Sequence, residues 1–271
     1  MSILPVKAQQ PAVYNSDMNI LRFADYLLRD SDFLRASIEY KRLENSPLWG
    51  DSLILRTGVA LMNADKYEEA GYLFRSVSSR EYEPHADYYY RYGNLLSPGS
   101  MPPPRGLSEY ALSDQPVFLR LKYLTFAVMN INHDAPVKAE VFSEQNRKNF
   151  LRITAHNASP DYRSPLAAAL FSTVLPGSGK IYTGFYGDGF VSLLMTGLMT
   201  YLSWDNFKSE NNIRGWIFGG LAAFFYAGNI YGSYISAEVY NNNKDEEIQR
   251  LIDEMLYSDE IRNPEGLEVI K

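Results

Sequence analysis

Residues 174–184, VLPGSGKIYTG, bring Gly177, Ser178, Gly179 and Lys180 together in the residue types of a phosphate-binding loop. In such a loop glycine amides cradle the phosphates, a lysine neutralises them and the hydroxyl after the lysine holds magnesium, which requires G-x-x-x-x-G-K-[ST]. Here Val174 stands where the first glycine is needed and Ile181 where the hydroxyl is needed. The metal ligand is lost with that hydroxyl, and the stretch that follows reads as membrane-like rather than as the amphipathic helix of a parallel α/β unit. No nucleotide is expected, so the glycine cluster needs another explanation.

Other chemistry is sparse. There is no cysteine, hence no disulfide framework and no thiolate metal site. His85, His133 and His156 are scattered without ligand spacing, and no nucleophile and base, metal cluster or intact nucleotide motif can be located. The expectation is a protein that is not an enzyme, with no catalytic, cofactor-binding or metal-binding residue. With 26 Lys+Arg against 32 Asp+Glu and no basic stripe, nucleic acid is not an expected partner. The 21 tyrosines suit an aromatic binding surface or a membrane interface equally well. At the amino terminus Val6-Lys7-Ala8 fits the small-x-small rule for signal-peptidase cleavage before Gln9, although the apolar region left ahead of it is too short to direct export by itself. The segment 1–18 reads as an amino-terminal tail or the remnant of an export signal.

The elements that must carry any function are helical. Ala24, Phe33, Ala36 and Tyr40 are followed 34 residues later by Gly58, Tyr67, Ala70 and Phe74. That is the tetratricopeptide period, with a small residue on the first helix of each pair and aromatics at the turn and on the second. A third first helix is expected in HADYYYRYGNLL, where Gly93 and Leu96 keep the spacing of Gly58 and Leu61. The prolines of SPGSMPPPRG interrupt it, and two poorly matching helices follow, giving a repeat domain over 19–160. Tyr89 and Tyr92 could line a partner-binding groove, or simply pack between helices.

Beyond residue 162 the composition changes. LAAALFSTVL is too short to span a bilayer and reads as an interfacial helix. Phe185 to Trp204 has Asp188 as its only charge, and Gly215 to Ala237 has none; both match the roughly 20 residues needed to cross about 30 Å of hydrocarbon. The polar connector DNFKSENNIR lies between them. The region 164–240 therefore reads as an interfacial helix followed by a two-helix membrane hairpin. Small residues Gly215, Gly219, Ala223 and Ala227, then Gly228, Gly232 and Ser236, form stripes on the second span, Gly189 and Gly197 offer a facing surface on the first, and Asn229 should seek a partner inside the pair. The remainder, 241–271, begins as an acidic amphipathic helix with Ile248, Leu251, Ile252, Met255 and Leu256 on one face.

LPGSGKIYTGFYGDGF resembles the L-P-G-x-G-x-x-Y-x-G turn of TM2-like membrane hairpins, and GNIYGSYISAEVYNNN resembles the closing stretch of bacterial envelope proteins that join such a hairpin to tetratricopeptide repeats. The resemblance implies that Pro176, Gly177, Gly179, Tyr182 and Gly184 form the membrane turn, with Asn229, Gly232, Ala237, Tyr240 and Asn241 matching the exit; Lys180 stands where many relatives have Gln. It implies architecture rather than a reaction. The expected fold is all-α: a short tetratricopeptide-like solenoid, a two-helix transmembrane hairpin and a carboxy-terminal amphipathic helix. The expected function is a membrane-anchored interaction scaffold of the bacterial inner membrane, serving assembly, secretion or insertion of envelope proteins. Its partners would be a protein held by the repeats, the lipid bilayer, and a second copy or a membrane-protein complex. If an export signal has been lost from this numbering, the repeats face the periplasm. The competing expectation is an oligomeric hairpin acting as a small transporter, channel or lipid-handling protein, motivated by Asp188 and Asn229.

Overall fold

Short-range capping sets the first helices. In the computed structural model, which describes residues 16–101, 115–131, 138–265 and 267, Ser16 caps α1 (Asp17–Arg29) by accepting from the Asn19 N–H, and Asp32 caps α2 (Phe33–Lys41) by accepting from the Arg35 N–H. The proposed cleavage site at Val6-Lys7-Ala8, His133 and the second half of the proline-rich insert lie outside the described residues. α3 (Asp51–Asn63) and α4 (Tyr67–Ser76) start 34 residues after α1 and α2, respectively. The turns agree with this offset: Ser31 and Asp65, also 34 apart, both take the left-handed conformation, at φ 63° and 59°. Two helical pairs thus repeat in backbone as well as in residue type.

The small and aromatic residues at the repeated positions meet inside the pairs. Ala24, Ala36 and Ala70 are wholly buried. A Cβ on Gly58 would lie 2.5 Å from the Phe74 ring, so the glycine is what lets α3 and α4 approach. Tyr40, wholly buried, donates to Asp25 at 2.7 Å, and Arg56 donates to both oxygens of the same carboxylate at 2.9 Å. α5 (Glu83–Leu96), α6 (Pro116–Val128), a 3-10 turn at Ala139–Val141 and α7 (Glu144–Ala158) continue the chain.

α8 (Pro165–Val174) is capped by Ser164, then come the short α9 (Ser178–Tyr182), α10 (Tyr186–Lys208), α11 (Asn212–Leu256) and α12 (Asp259–Arg262). α11 is one uninterrupted helix of 45 residues. The second apolar stretch and the acidic segment, expected as separate helices, are continuous because no glycine or proline occurs between Ser233 and Leu256 to end a helix. The chain divides into two compact units, residues 1–151 with 254–271, and residues 152–253. The last residues thus belong with the repeats rather than forming a region of their own.

Among the described residues the fold is all-helical, without strands. Also among them, no helix is long and apolar enough to cross a membrane. The two spans read from the sequence meet a physical dilution. Gly187, Ser192, Thr196 and Ser203 on α10, and Asn229, Ser233 and Ser236 on α11, lower the apolar content of each stretch itself.

Candidate functional site

The second unit is built around the glycine turn. Gly177 takes φ +91°, and its N–H donates to Asn229 Oδ1 at 3.0 Å. The Gly179 N–H donates to Ser172 Oγ at 3.0 Å. These amides would have to be free to cradle a phosphate; here each is satisfied by a buried side chain of the same unit. Backbones come very close at this point. A Cβ on Gly177 would lie 2.0 Å from the Gly189 carbonyl oxygen, and one on Gly179 would lie 1.9 Å from that of Ala168. α8, α9 and the start of α10 can therefore meet only through glycine.

A seam of hydroxyls continues from the turn to α11. Ser172 Oγ lies 2.7 Å from Ser233 Oγ, and Ser233 donates on to the Asn229 carbonyl at 2.8 Å. Because Ser233 donates its one proton to the Asn229 carbonyl, the proton between the two serines belongs to Ser172. Thr183 Oγ1 lies 2.8 Å from Ser236 Oγ, which donates to the Ser233 carbonyl. The face of α11 used here is Asn229, Ser233, Ser236 and Ala237, all buried and spaced as one helical stripe. Lys180 extends away from the turn, its Nζ donating to Ser192 Oγ at 2.9 Å as its stem passes Gly232.

The small-residue stripes expected to pack the hairpin are only partly used. Gly189 is buried against Gly177 and Ile181, Gly232 meets Lys180, and Gly219 meets Ser203. Gly197 and Gly228, in contrast, face open space, and Ala223 is exposed. The packing face is set by the hydrogen-bonding Asn229, Ser233 and Ser236, of which the small-residue spacing includes Ser236 but not Ser233. Asp188 is exposed in the first turn of α10, where its charge complements the helix dipole.

Tyr182 and the exit residues Tyr240 and Asn241 converge on Arg163, a role that the sequence did not reveal. The Arg163 N–H donates to Asn241 Oδ1 at 2.8 Å, and Asn241 Nδ2 donates back to the Arg163 carbonyl at 3.0 Å. The guanidinium lies 5.3 Å from the Tyr182 ring centre and 5.4 Å from that of Tyr240. Tyr240 in turn donates to Asp161 at 3.0 Å. Pro176 is half-buried beside the turn, and Gly184, at φ +85°, ends α9 with open space around it.

Polarity in this unit is inverted. The buried polar set is Ser172, Thr183, Thr196, Asn229, Ser233 and Ser236. The exposed set includes Leu166, Leu170 and Val174 on α8, Phe190, Val191, Leu194 and Leu198 on α10, and Ile217, Phe224 and Tyr231 on α11. Val174 is 87 % exposed and Phe224 73 %.

In the first unit the tyrosines of α5 form a second candidate site, and they are covered. Tyr88, Tyr89 and Tyr92 are each 2 % exposed or less. Their hydroxyls donate to backbone carbonyls of the chain's own carboxy-terminal segment: Tyr92 to Leu256 at 2.9 Å, Tyr88 to Ile261 at 2.7 Å and Tyr89 to Leu267 at 3.3 Å. Burial pushes the Tyr88 and Tyr92 phenols well above their ordinary range, so they remain donors at any physiological pH. Of the two alternatives for Tyr89 and Tyr92, an open groove or packing between helices, the structure shows a face occupied from within the unit. Among the described residues no three His, Cys, Asp or Glu side chains gather to hold a metal ion.

No family model matches the chain, and no curated protein or solved structure matches it either.

Proposed function

We propose that this protein is a membrane-held interaction scaffold: the second unit sits in lipid, and the helical pairs of the first unit hold a protein partner near the bilayer. The reading keeps the expectation drawn from the TM2-like turn and the 34-residue repeat. The observation that carries it is the inverted polarity of the second unit. In water, the exposed leucine, valine and phenylalanine side chains on three helices would be unfavourable, about 25 cal/mol for each Å² left wet. In hydrocarbon the same surface costs nothing, and small residues with interhelical hydrogen bonds become the natural packing chemistry.

Helix-by-helix apolarity underestimates such a unit, because many of its polar groups point inward and bond one another, as Ser172 does with Ser233 and Thr183 with Ser236, while Thr196 Oγ1 and Asn229 Nδ2 are buried without a partner among the described residues. The glycine turn closes the packing. Its amides bond to Ser172 and Asn229, and this leaves few backbone groups needing water. The proposed role is local concentration and orientation of a partner, with no bond made or broken. Assembly, secretion or insertion of envelope proteins is the setting proposed for it. The satisfied hydroxyl seam favours this reading over a transport path, which would need polar groups open to a passing solute.

Alkaline carbonate extraction of membranes tests the anchor. The protein should stay in the pellet; recovery chiefly as a soluble monomer without detergent would remove the anchor and with it the proposal.

A further inference from the structure

We propose that the tyrosine face of α5 is a polypeptide-binding surface whose resident ligand is the chain's own segment from Leu256, the last residue of α11, to Leu267, and that a partner segment carrying acid, aliphatic and base in succession displaces it. This rests on reading the first unit as an interaction module, and is independent of the membrane anchor.

The segment is held as a bound peptide is held. Three tyrosine hydroxyls take its backbone carbonyls at Leu256, Ile261 and Leu267, contacts indifferent to side-chain identity. Specificity comes from successive side chains. Glu260 accepts from the Ser143 N–H at 2.9 Å, the Ser143 hydroxyl at 2.8 Å and Asn146 Nδ2 at 2.6 Å, and pairs with Arg120 at 3.0 Å. Ile261 is wholly buried. Arg262 donates to Asn63 at 3.1 Å, and its guanidinium lies 5.2 Å from the Phe33 ring centre. The acceptor thus reads carboxylate, aliphatic and guanidinium in order, and Leu267 adds a second apolar anchor.

Two features separate this arrangement from a fixed piece of core. The segment has little structure of its own: α12 is a single four-residue turn, and Tyr257 at the joint after α11 is 60 % exposed. A cleft of about 410 Å³ also runs beside it, lined by Phe33, Val59, Asn63, Tyr89, Asp259 and Arg262. Side chains that grip the segment therefore border open space, so a competing chain can engage them before the resident has left.

The test uses the full chain in detergent and a fluorescent synthetic peptide covering residues 256–271. Unsubstituted protein should bind it weakly. A Glu260→Ala, Arg262→Ala chain, whose resident segment is loosened, should bind it at least about tenfold more tightly, because the acceptor residues are untouched. Adding Tyr88→Phe and Tyr92→Phe should then weaken binding roughly tenfold by removing two hydroxyl donors. No peptide binding by any chain, or equal binding by all, overturns the proposal. Concentration-dependent dimerisation without peptide binding also overturns it, in favour of exchange of the segment between copies. Should the loosened chain fail to fold, hydrogen exchange in the unsubstituted protein decides: amides of residues 257–267 should exchange at least about tenfold faster than those of α5, and equal protection overturns the idea. Peptide binding without any captured protein partner would locate the failure in the scaffold reading instead.

Discussion

At the scale of single residues, Gly179 and Gly228 look alike in the sequence, since both belong to small-residue patterns near the proposed hairpin. Their surroundings are opposite. A methyl group on Gly179 would collide with the Ala168 carbonyl, whereas one on Gly228 meets nothing within 4 Å. Gly179→Ala should therefore destabilise the second unit by about 3 kcal/mol through overpacking against backbone that cannot yield. Gly228→Ala should leave it unchanged or stabilise it by up to about 1 kcal/mol through helix propensity. Thermal unfolding of both variants in the same detergent measures this, and similar losses in both would contradict the close approach at the turn. The turn was legible from Pro176, Gly177, Gly179, Tyr182 and Gly184. What the glycines approach was not, because their partners Ala168, Gly189 and Asn229 lie up to 52 residues away in sequence. Arg163 was missed for the same reason: its role depends on Tyr182, Tyr240 and Asn241 arriving from two other helices.

At the scale of elements, the repeat was readable because its determinants are local. Ser16 and Asp32 cap the first pair, and the left-handed turns at Ser31 and Asp65 recur at the same interval as Ala24 and Gly58. Asp51 links two of these elements: from the first turn of α3 its carboxylate accepts from the Ser78 and Ser79 N–H groups just after α4. Burial opposes its charge, but these backbone N–H groups and the neighbouring hydroxyls outweigh that penalty and hold its carboxyl below the ordinary 3.8. A carboxyl with a lowered folded-state pKa contributes stability above its unfolded value and loses it as pH falls through the folded value. The melting temperature of the first unit should thus fall as pH drops below about 4, and Asp51→Asn should flatten part of that fall. Identical acid profiles for the two proteins would remove Asp51 from the account. The boundary of α11 was not legible, since 241–243, NNN, reads as a helix end by composition. In the fold Asn241 instead spends its side chain on the Arg163 backbone and the helix runs on.

For the whole molecule, the all-helical class followed from periodicity, while the occupancy of the tyrosine face did not. Tyr88, Tyr89 and Tyr92 find their carbonyl partners 164 to 178 residues further along the chain, a pairing that no local pattern encodes. The inverted polarity of the second unit lies between these cases. Its apolar stretches were visible, but the sequence does not say which residues of a stretch turn inward, and the inward serines and Asn229 are what give the unit its inverted polarity. That unit also carries two of the chain's three tryptophans, Trp204 at 58 % and Trp216 at 74 % exposure, and Trp49 can be removed as Trp49→Phe. Reconstituting this variant with lipids brominated along their acyl chains tests the central claim directly. If the second unit sits in the bilayer, Trp204 and Trp216 fluorescence will be strongly quenched by the brominated lipid and little affected by aqueous iodide. Fluorescence indifferent to the bromines and quenched by iodide would put those side chains in water and contradict the account.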